Sequence, residues 1–182
     1  MSLFNWTKNN FSPGEPDNHT TSDNQKIPDN NESCFNLTQA FSDLTEELSK
    51  DYDITKGVLV IRMQDTQNLA AISTWKDGMM RDGLTVTLPS KSSLFEKVAE
   101  NGCVYTEDFC AAFSGNFFER KLLLDDNSRS FVVQPLKTKG KVVGLVAYSS
   151  DQPTAFAMFE EGVVQPVAAK FACEIESLLK QL

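Results

Sequence analysis

Two β-branched runs joined by a short basic turn set the frame for this chain. Ser130-Phe131-Val132-Val133-Gln134-Pro135-Leu136 and Val142-Val143-Gly144-Leu145-Val146-Ala147-Tyr148 flank a Lys-Thr-Lys-Gly-Lys turn, the spacing of a β-hairpin. Pro135 has no N–H to give to a ladder, so it belongs at a bulge or a donor-free position. Gly57–Met63 and Leu69–Trp75 form a second pair of apolar runs, separated by the polar stretch Gln64–Asn68. Lys76-Asp77-Gly78 is expected to end this pair, and Leu84–Leu88 to run extended into Pro89. Cys103-Val104-Tyr105 is a further short strand.

The apolar period then changes from strand-like to helical. Asn36 is a good N-cap with Gln39 three residues on, and Leu37, Phe41, Leu44 and Leu48 make one stripe, so the spacing predicts a helix from Asn36 to about Lys50. Ser93 and Glu96 have capping-box spacing, Leu94 and Val98 face inward, and Asn101-Gly102 is a stop, which predicts a second helix. Residues 106–128 are irregular but aromatic and read as short helices and loops over one sheet face. Phe156, Phe159, Val163, Val167, Phe171, Ile175, Leu178 and Leu182 predict a long closing helix, with Pro166 kinking or splitting it. The order predicts an α+β fold: an antiparallel sheet between N- and C-terminal helices on one face and short helices and loops on the other.

A chain of 182 residues, 41% hydrophobic, holds one domain. Residues 1–33 are rich in Asn, Asp, Ser, Thr and Pro and cannot bury enough apolar surface to offset chain entropy, so they are expected to be a disordered arm ahead of a domain at 34–182. Leu3, Phe4 and Trp6 at its tip are either a short docking motif or a weakly packed chain start. The net charge of −8 argues against nucleic acid and against an anionic membrane surface. No apolar run nears the roughly 20 residues that span a bilayer, and Met1–Asn10 lacks the pattern of a secretory signal. The four cysteines, with no CxxC spacing, read as reduced cytosolic thiols, so the chain is expected to be cytoplasmic. Its one histidine, His19, lies in the arm. The folded region therefore has no Ser-His-Asp or Cys-His nucleophile, no His-containing zinc site and no His-ligated haem. Chemistry through carboxylates or a lone thiol stays open.

Between Asn36 and Leu182 the chain resembles a GAF domain. The resemblance is carried by Arg129–Leu136, a strand ending in Pro-Leu, followed by the turn at Gly140 and the Val142–Val146 strand. A second block is the Ser93–Glu100 helix with Asn101-Gly102 and Tyr105–Asp108. The resemblance implies a sensory or regulatory module of signal transduction, often dimeric through its terminal helices, with a small-molecule pocket between the sheet and the insert. It implies a homodimer and, since no output domain fits in the chain, an unidentified signalling partner that carries the output. Its specialised chemistries are individually missing. Cys110 is followed by Ala111 where bilin-binding members place a His, and Phe156–Glu161 matches only half of the cyclic-nucleotide motif. The resemblance therefore implies no cofactor. Free methionine sulfoxide reductases of this type use several cysteines, but their motifs do not surround Cys103 and Cys110.

Three features carry paired readings. Trp75, Tyr105, Phe109, Phe113, Phe117 and Phe131 either line the pocket, with Arg120 or Arg129 as cation for an anionic ligand, or fill the same space as core. Cys103 and Cys110 are either a redox pair or inert thiols, and Glu107 and Asp108 beside them oppose thiolate formation. Leu37, Phe41, Leu44 and Leu48 of the first helix, with Val164, Val167, Phe171, Ile175 and Leu178 of the last, either cover the sheet or join two subunits. Asp125-Asp126 with Glu119 lacks the alternating ligands and turn glycine of a calcium loop, so no metal site is expected.

Overall fold

The computed structural model describes residues 30–159 except 82 and 84, together with 169, 172, 173 and 175. Its elements are α1 (Asn30–Leu48), β1 (Lys56–Arg62), β2 (Leu69–Lys76), β3 (Met79–Arg81), β4 (Val86–Thr87), α2 (Leu94–Asn101), β5 (Tyr105–Glu107), α3 (Phe117–Leu123), β6 (Ser130–Thr138) and β7 (Lys141–Ser150). A 3-10 turn at Cys110–Ala112 lies between β5 and α3.

The sheet is antiparallel with order β3-β2-β1-β7-β6-β5, and β4 also pairs with the outer edge of β2. Both hairpins expected from the sequence form. Strands β1, β7 and β6 sit at the centre and are buried on both faces, which explains why they read as continuous apolar runs. Pro135 lies beyond the stretch of β6 paired with β5, one residue before the register shift at Leu136/Lys137.

Each sheet face has its own apolar cluster. On one, α1 contributes Leu37, Phe41, Leu44 and Leu48, packed with Leu59, Val146, Tyr148, Phe156 and Ile175. On the other, α2 and the insert bring Leu94, Phe95, Val98, Cys110, Leu123 and Leu124 against Val58, Val60, Phe131 and Leu145. The fold class is thus the α+β sandwich anticipated. Gly57 of β1 makes room for the first cluster, since a Cβ there would stand 2.9 Å from the Tyr148 ring and 3.3 Å from that of Phe41.

Several boundaries differ from the sequence reading. Helix α1 starts at Asn30, six residues before the expected cap at Asn36. No Gly or Pro lies between Pro28 and Leu48, so nothing obliges the backbone to stop at a residue that merely favours caps. Lys76-Asp77-Gly78 does not end the second hairpin but turns it into β3, because Asp77 (φ 49°) and Gly78 (φ 80°) adopt the left-handed pair of a two-residue turn. The strand at Cys103–Tyr105 slips two residues to Tyr105–Glu107, where it pairs with Val133–Phe131. The long helix does not start at Phe156. Thr154 sits at φ 58°, and i to i+3 bonds make 154–159 a series of turns. Of the later stretch, Ala169, Ala172, Cys173 and Ile175 are helical, while Leu84, Val163, Val164, Pro166, Val167, Phe171, Leu178 and Leu182 lie outside the described residues, as do Leu3, Phe4 and Trp6.

The paired reading of the terminal helices resolves for α1. Its whole stripe, with Phe41 fully buried, is spent on the chain's own sheet. Ile175 is likewise buried there. The sheet face needs that cover, so these five residues are not free to meet a second subunit.

Candidate functional site

The layer between the sheet and the insert is organised by a carboxylate. Helix α2 is capped by Ser93, whose Oγ accepts from the Glu96 N–H at 2.9 Å. Helix α3 opens with a reciprocal cap: Asn116 Oδ1 accepts from the N–H groups of Phe118 and Glu119, and Glu119 accepts from the Asn116 N–H at 3.0 Å. Glu119 also reaches across to α2. There it accepts from the N–H groups of Leu94 (2.9 Å) and Phe95 (3.1 Å) and from the Ser93 hydroxyl. One fully buried side chain thus satisfies the free amide ends of two helices. Arg62 of β1 holds the outer side of α2 through Glu96 at 3.0 Å, and Gly102, at φ 64°, closes that helix.

The other end of α3 is fixed to the sheet. Ser149 donates to Leu123 O at 2.7 Å, and Lys56 Nζ donates to Lys121 O at 2.9 Å and Leu124 O at 3.2 Å. A cation at the carbonyl end of a helix complements its dipole.

Of the aromatic set named from sequence, three come together. Phe131 is fully buried, stacked on Tyr105 (5.9 Å between centroids) and edge-on to Phe113 (5.4 Å). Trp75 does not join them, because its side chain belongs to the cluster on the α1 face. Phe109 and Phe117 stand 68% and 67% exposed on the outside of the insert. Period-2 alternation and the curl of the insert decided these fates, and neither is visible in residue type.

Arg120 lies exposed on α3. Arg129 lines an open cleft of about 490 Å³ with Phe109, Cys110, Asp108, Asp126 and Asp151. Three carboxylates around one guanidinium make that cleft unsuited to an anion. Cys110 is buried, and burial first, then the Glu107 and Asp125 charges, push its thiol up to about 11 against the pull of Arg120. Cys103 is an exposed free thiol just past α2. Asp125 accepts from Ser128 and pairs with Lys76 at 3.4 Å, away from the buried Glu119. Among the described residues no three His, Cys, Asp or Glu side chains converge as metal ligands, and no helix is long and apolar enough to cross a membrane.

A second open cleft, of about 550 Å³, lies beside α3 and is lined by Lys56, Thr74, Trp75, Lys76, Arg81, Gly83, Lys121 and Leu122. The sequence reading passed over it, and over the role of Glu119. Asn116-x-x-Glu119 has capping-box spacing and was a signal in plain view. The cleft left no such trace, since its cations come from four separate elements.

Compared by sequence, the chain matches no family profile and no curated protein. Compared by structure, it superposes on the GAF domain of a two-component sensor histidine kinase from Bacillus halodurans, with TM-score 0.62 at 16% identity over 77% of this chain and 93% of that one. The fold is that of a GAF domain. The GAF domain/HD domain protein from Geobacter sulfurreducens gives TM-score 0.58 at 15% identity, over 78% and 93%. A type II free methionine-R-sulfoxide reductase from Thermoplasma acidophilum superposes as well, with TM-score 0.59 at 15% identity, over 81% and 95%.

Proposed function

We propose that this chain is a non-catalytic regulatory module of the GAF type, which acts through protein contacts and keeps no ligand in the layer between sheet and insert. The observation that carries this reading is the packing of aromatic rings and a buried carboxylate in that layer. The Tyr105–Phe131–Phe113 stack and the fully buried Glu119 lie in the layer where the GAF resemblance expects a small molecule, and this supports a layer filled by the chain's own groups. A partner, either a second copy or a signalling protein carrying the output, would then read the outer surfaces. Native mass spectrometry of protein taken directly from cells tests this. Peaks at the mass of the polypeptide and its multiples are expected, and a retained organic ligand would overturn the reading.

A second reading, thiol chemistry, is favoured by the likeness to the Thermoplasma reductase. The state of Cys110 opposes it. A thiol raised from 9.0 to about 11 is almost wholly protonated at neutral pH and is a poor nucleophile. Native alkylation is expected to label the exposed Cys103 readily and Cys110 only after denaturation; fast labelling of Cys110 at pH 7 would revive the enzyme reading. The same shift has a stability consequence. The contribution of the buried thiol is complete below about pH 9, where both states are protonated, and is lost as pH rises through about 11, because the unfolded chain ionises first.

A further inference from the structure

The cleft beside α3 gathers positive charge in a chain whose net charge is −8. The strand register explains how. Lys56 pairs with Lys76 across β1 and β2, and Thr74 pairs with Arg81 across β2 and β3. Residues 74 and 76 share a sheet face, so Lys56, Lys76 and Arg81 all project toward α3. Lys121 of α3 completes the rim.

Among the described lining residues there is no carboxylate. Asp125, outside the lining, forms an ion pair with Lys76. Arg81 and Lys121 have no ion-pair partner among the described residues; Lys121 rests over the Phe117 ring at 5.7 Å. Burial holds the Lys56 ammonium below the usual lysine value; Asp125 pulls it up, and the smaller charges of Lys76 and Lys121 push it down. Such a cluster is held together against its own repulsion by the sheet register and by the two carbonyls that fix Lys56.

We infer that this cleft, lined by Lys56, Lys76, Arg81 and Lys121, is a binding site for a small phosphoryl-bearing anion. A phosphoryl group brings about two charges and three acceptor oxygens, which suits a cleft lined by one guanidinium and three ammonium groups. A monocarboxylate would leave most of the repulsion in place. The volume, about 550 Å³, falls among small-molecule sites rather than macromolecular grooves. Thr74 supplies a hydroxyl and Leu122 an apolar wall for the remainder of the ligand. The site is separate from the filled layer and does not depend on the reading of that layer.

Calorimetric titration of the full chain at low salt with inorganic pyrophosphate and with ADP tests this, with succinate as a dicarboxylate of similar charge. One saturable site for both phosphate compounds is expected, stronger than for succinate. Arg81→Ala combined with Lys121→Ala should weaken it by at least roughly tenfold, the scale of one charge-assisted hydrogen bond lost. Both side chains are exposed, so circular dichroism and the thermal midpoint should stay unchanged. Lys50→Ala, in the turn just past α1, should leave affinity as it was. The inference is overturned by any of three results: no saturable binding up to about 1 mM, equal affinity in the double variant, or succinate binding as tightly as pyrophosphate.

Discussion

Glu119→Ala should lower the free energy of unfolding by about 3–5 kcal/mol, the cost of leaving several buried donors without an acceptor. The wild-type carboxylate receives the Leu94, Phe95 and Asn116 amides and the Ser93 hydroxyl. Those amides end two helices and are turned inward, so solvent does not readily replace the lost oxygens. Glu119→Gln keeps one acceptor but aims an NH2 group at donors, and should fall between alanine and wild type. Ser93→Ala, which removes the cap of α2 and one of the donors to Glu119 but leaves the carboxylate on its three amides, should cost about 1–2 kcal/mol. Chemical denaturation measures all three. Hydrogen exchange at Leu94 and Phe95 locates the effect, because loss of the carboxylate should speed exchange there before it does in β1 or β7. A cost below about 1 kcal/mol for Glu119→Ala would mean that water or a rotated side chain already serves those amides.

Phe41→Ala should cost a similar amount, about 3–5 kcal/mol, through a different mechanism. Phe41 is fully buried and stacked on Tyr148 with centroids 6.1 Å apart and planes within 19°. The pair lies over the gap left by Gly57, so alanine would open a cavity that neighbouring side chains cannot readily close. Tyr148 also shares a hydrogen bond with Thr45 of α1 at 3.3 Å, and Thr38 of the same helix meets Ser73 of β2 at 3.0 Å. These bonds fix the helix in register but supply little of its burial. Tyr148→Phe should therefore cost only about 1 kcal/mol. A double-mutant cycle between positions 41 and 148 should show coupling of about 0.5–1.5 kcal/mol. Its absence would show that α1 is held by its other stripe residues, Leu37, Leu44 and Leu48.

These two positions differ in how far sequence discloses them. Phe41 was legible: it stands in a stripe of apolar residues at helical spacing, and the stripe does cover the sheet. What spacing left undecided was whether that stripe met the chain's own sheet or another subunit, since an apolar face has the same pattern in both cases. Glu119 was half legible. Its capping relation to Asn116 is a local spacing, but its reach to Leu94 and Phe95 crosses some twenty-five residues of chain. Trp75 and Phe131 show the same limit from the other side. Both are large aromatics in strands, and only the register puts one on the α1 face and the other under the insert.

The hairpins, the capped helix at Leu94–Asn101, the α+β class and the absence of histidine from residues 34–182 were determined by sequence alone. Each depends on a local period, a cap or a count, and local backbone preferences are written in neighbouring residues. The tertiary structure decided the rest: that Tyr105, Phe113 and Phe131 stack beneath the insert, that α1 spends its stripe on its own sheet, and that Lys56, Lys76, Arg81 and Lys121 line one cleft. Those outcomes depend on strand register and on the seating of α3 by Lys56 and Ser149. A shift of one residue in strand register would send the same side chains to the opposite face.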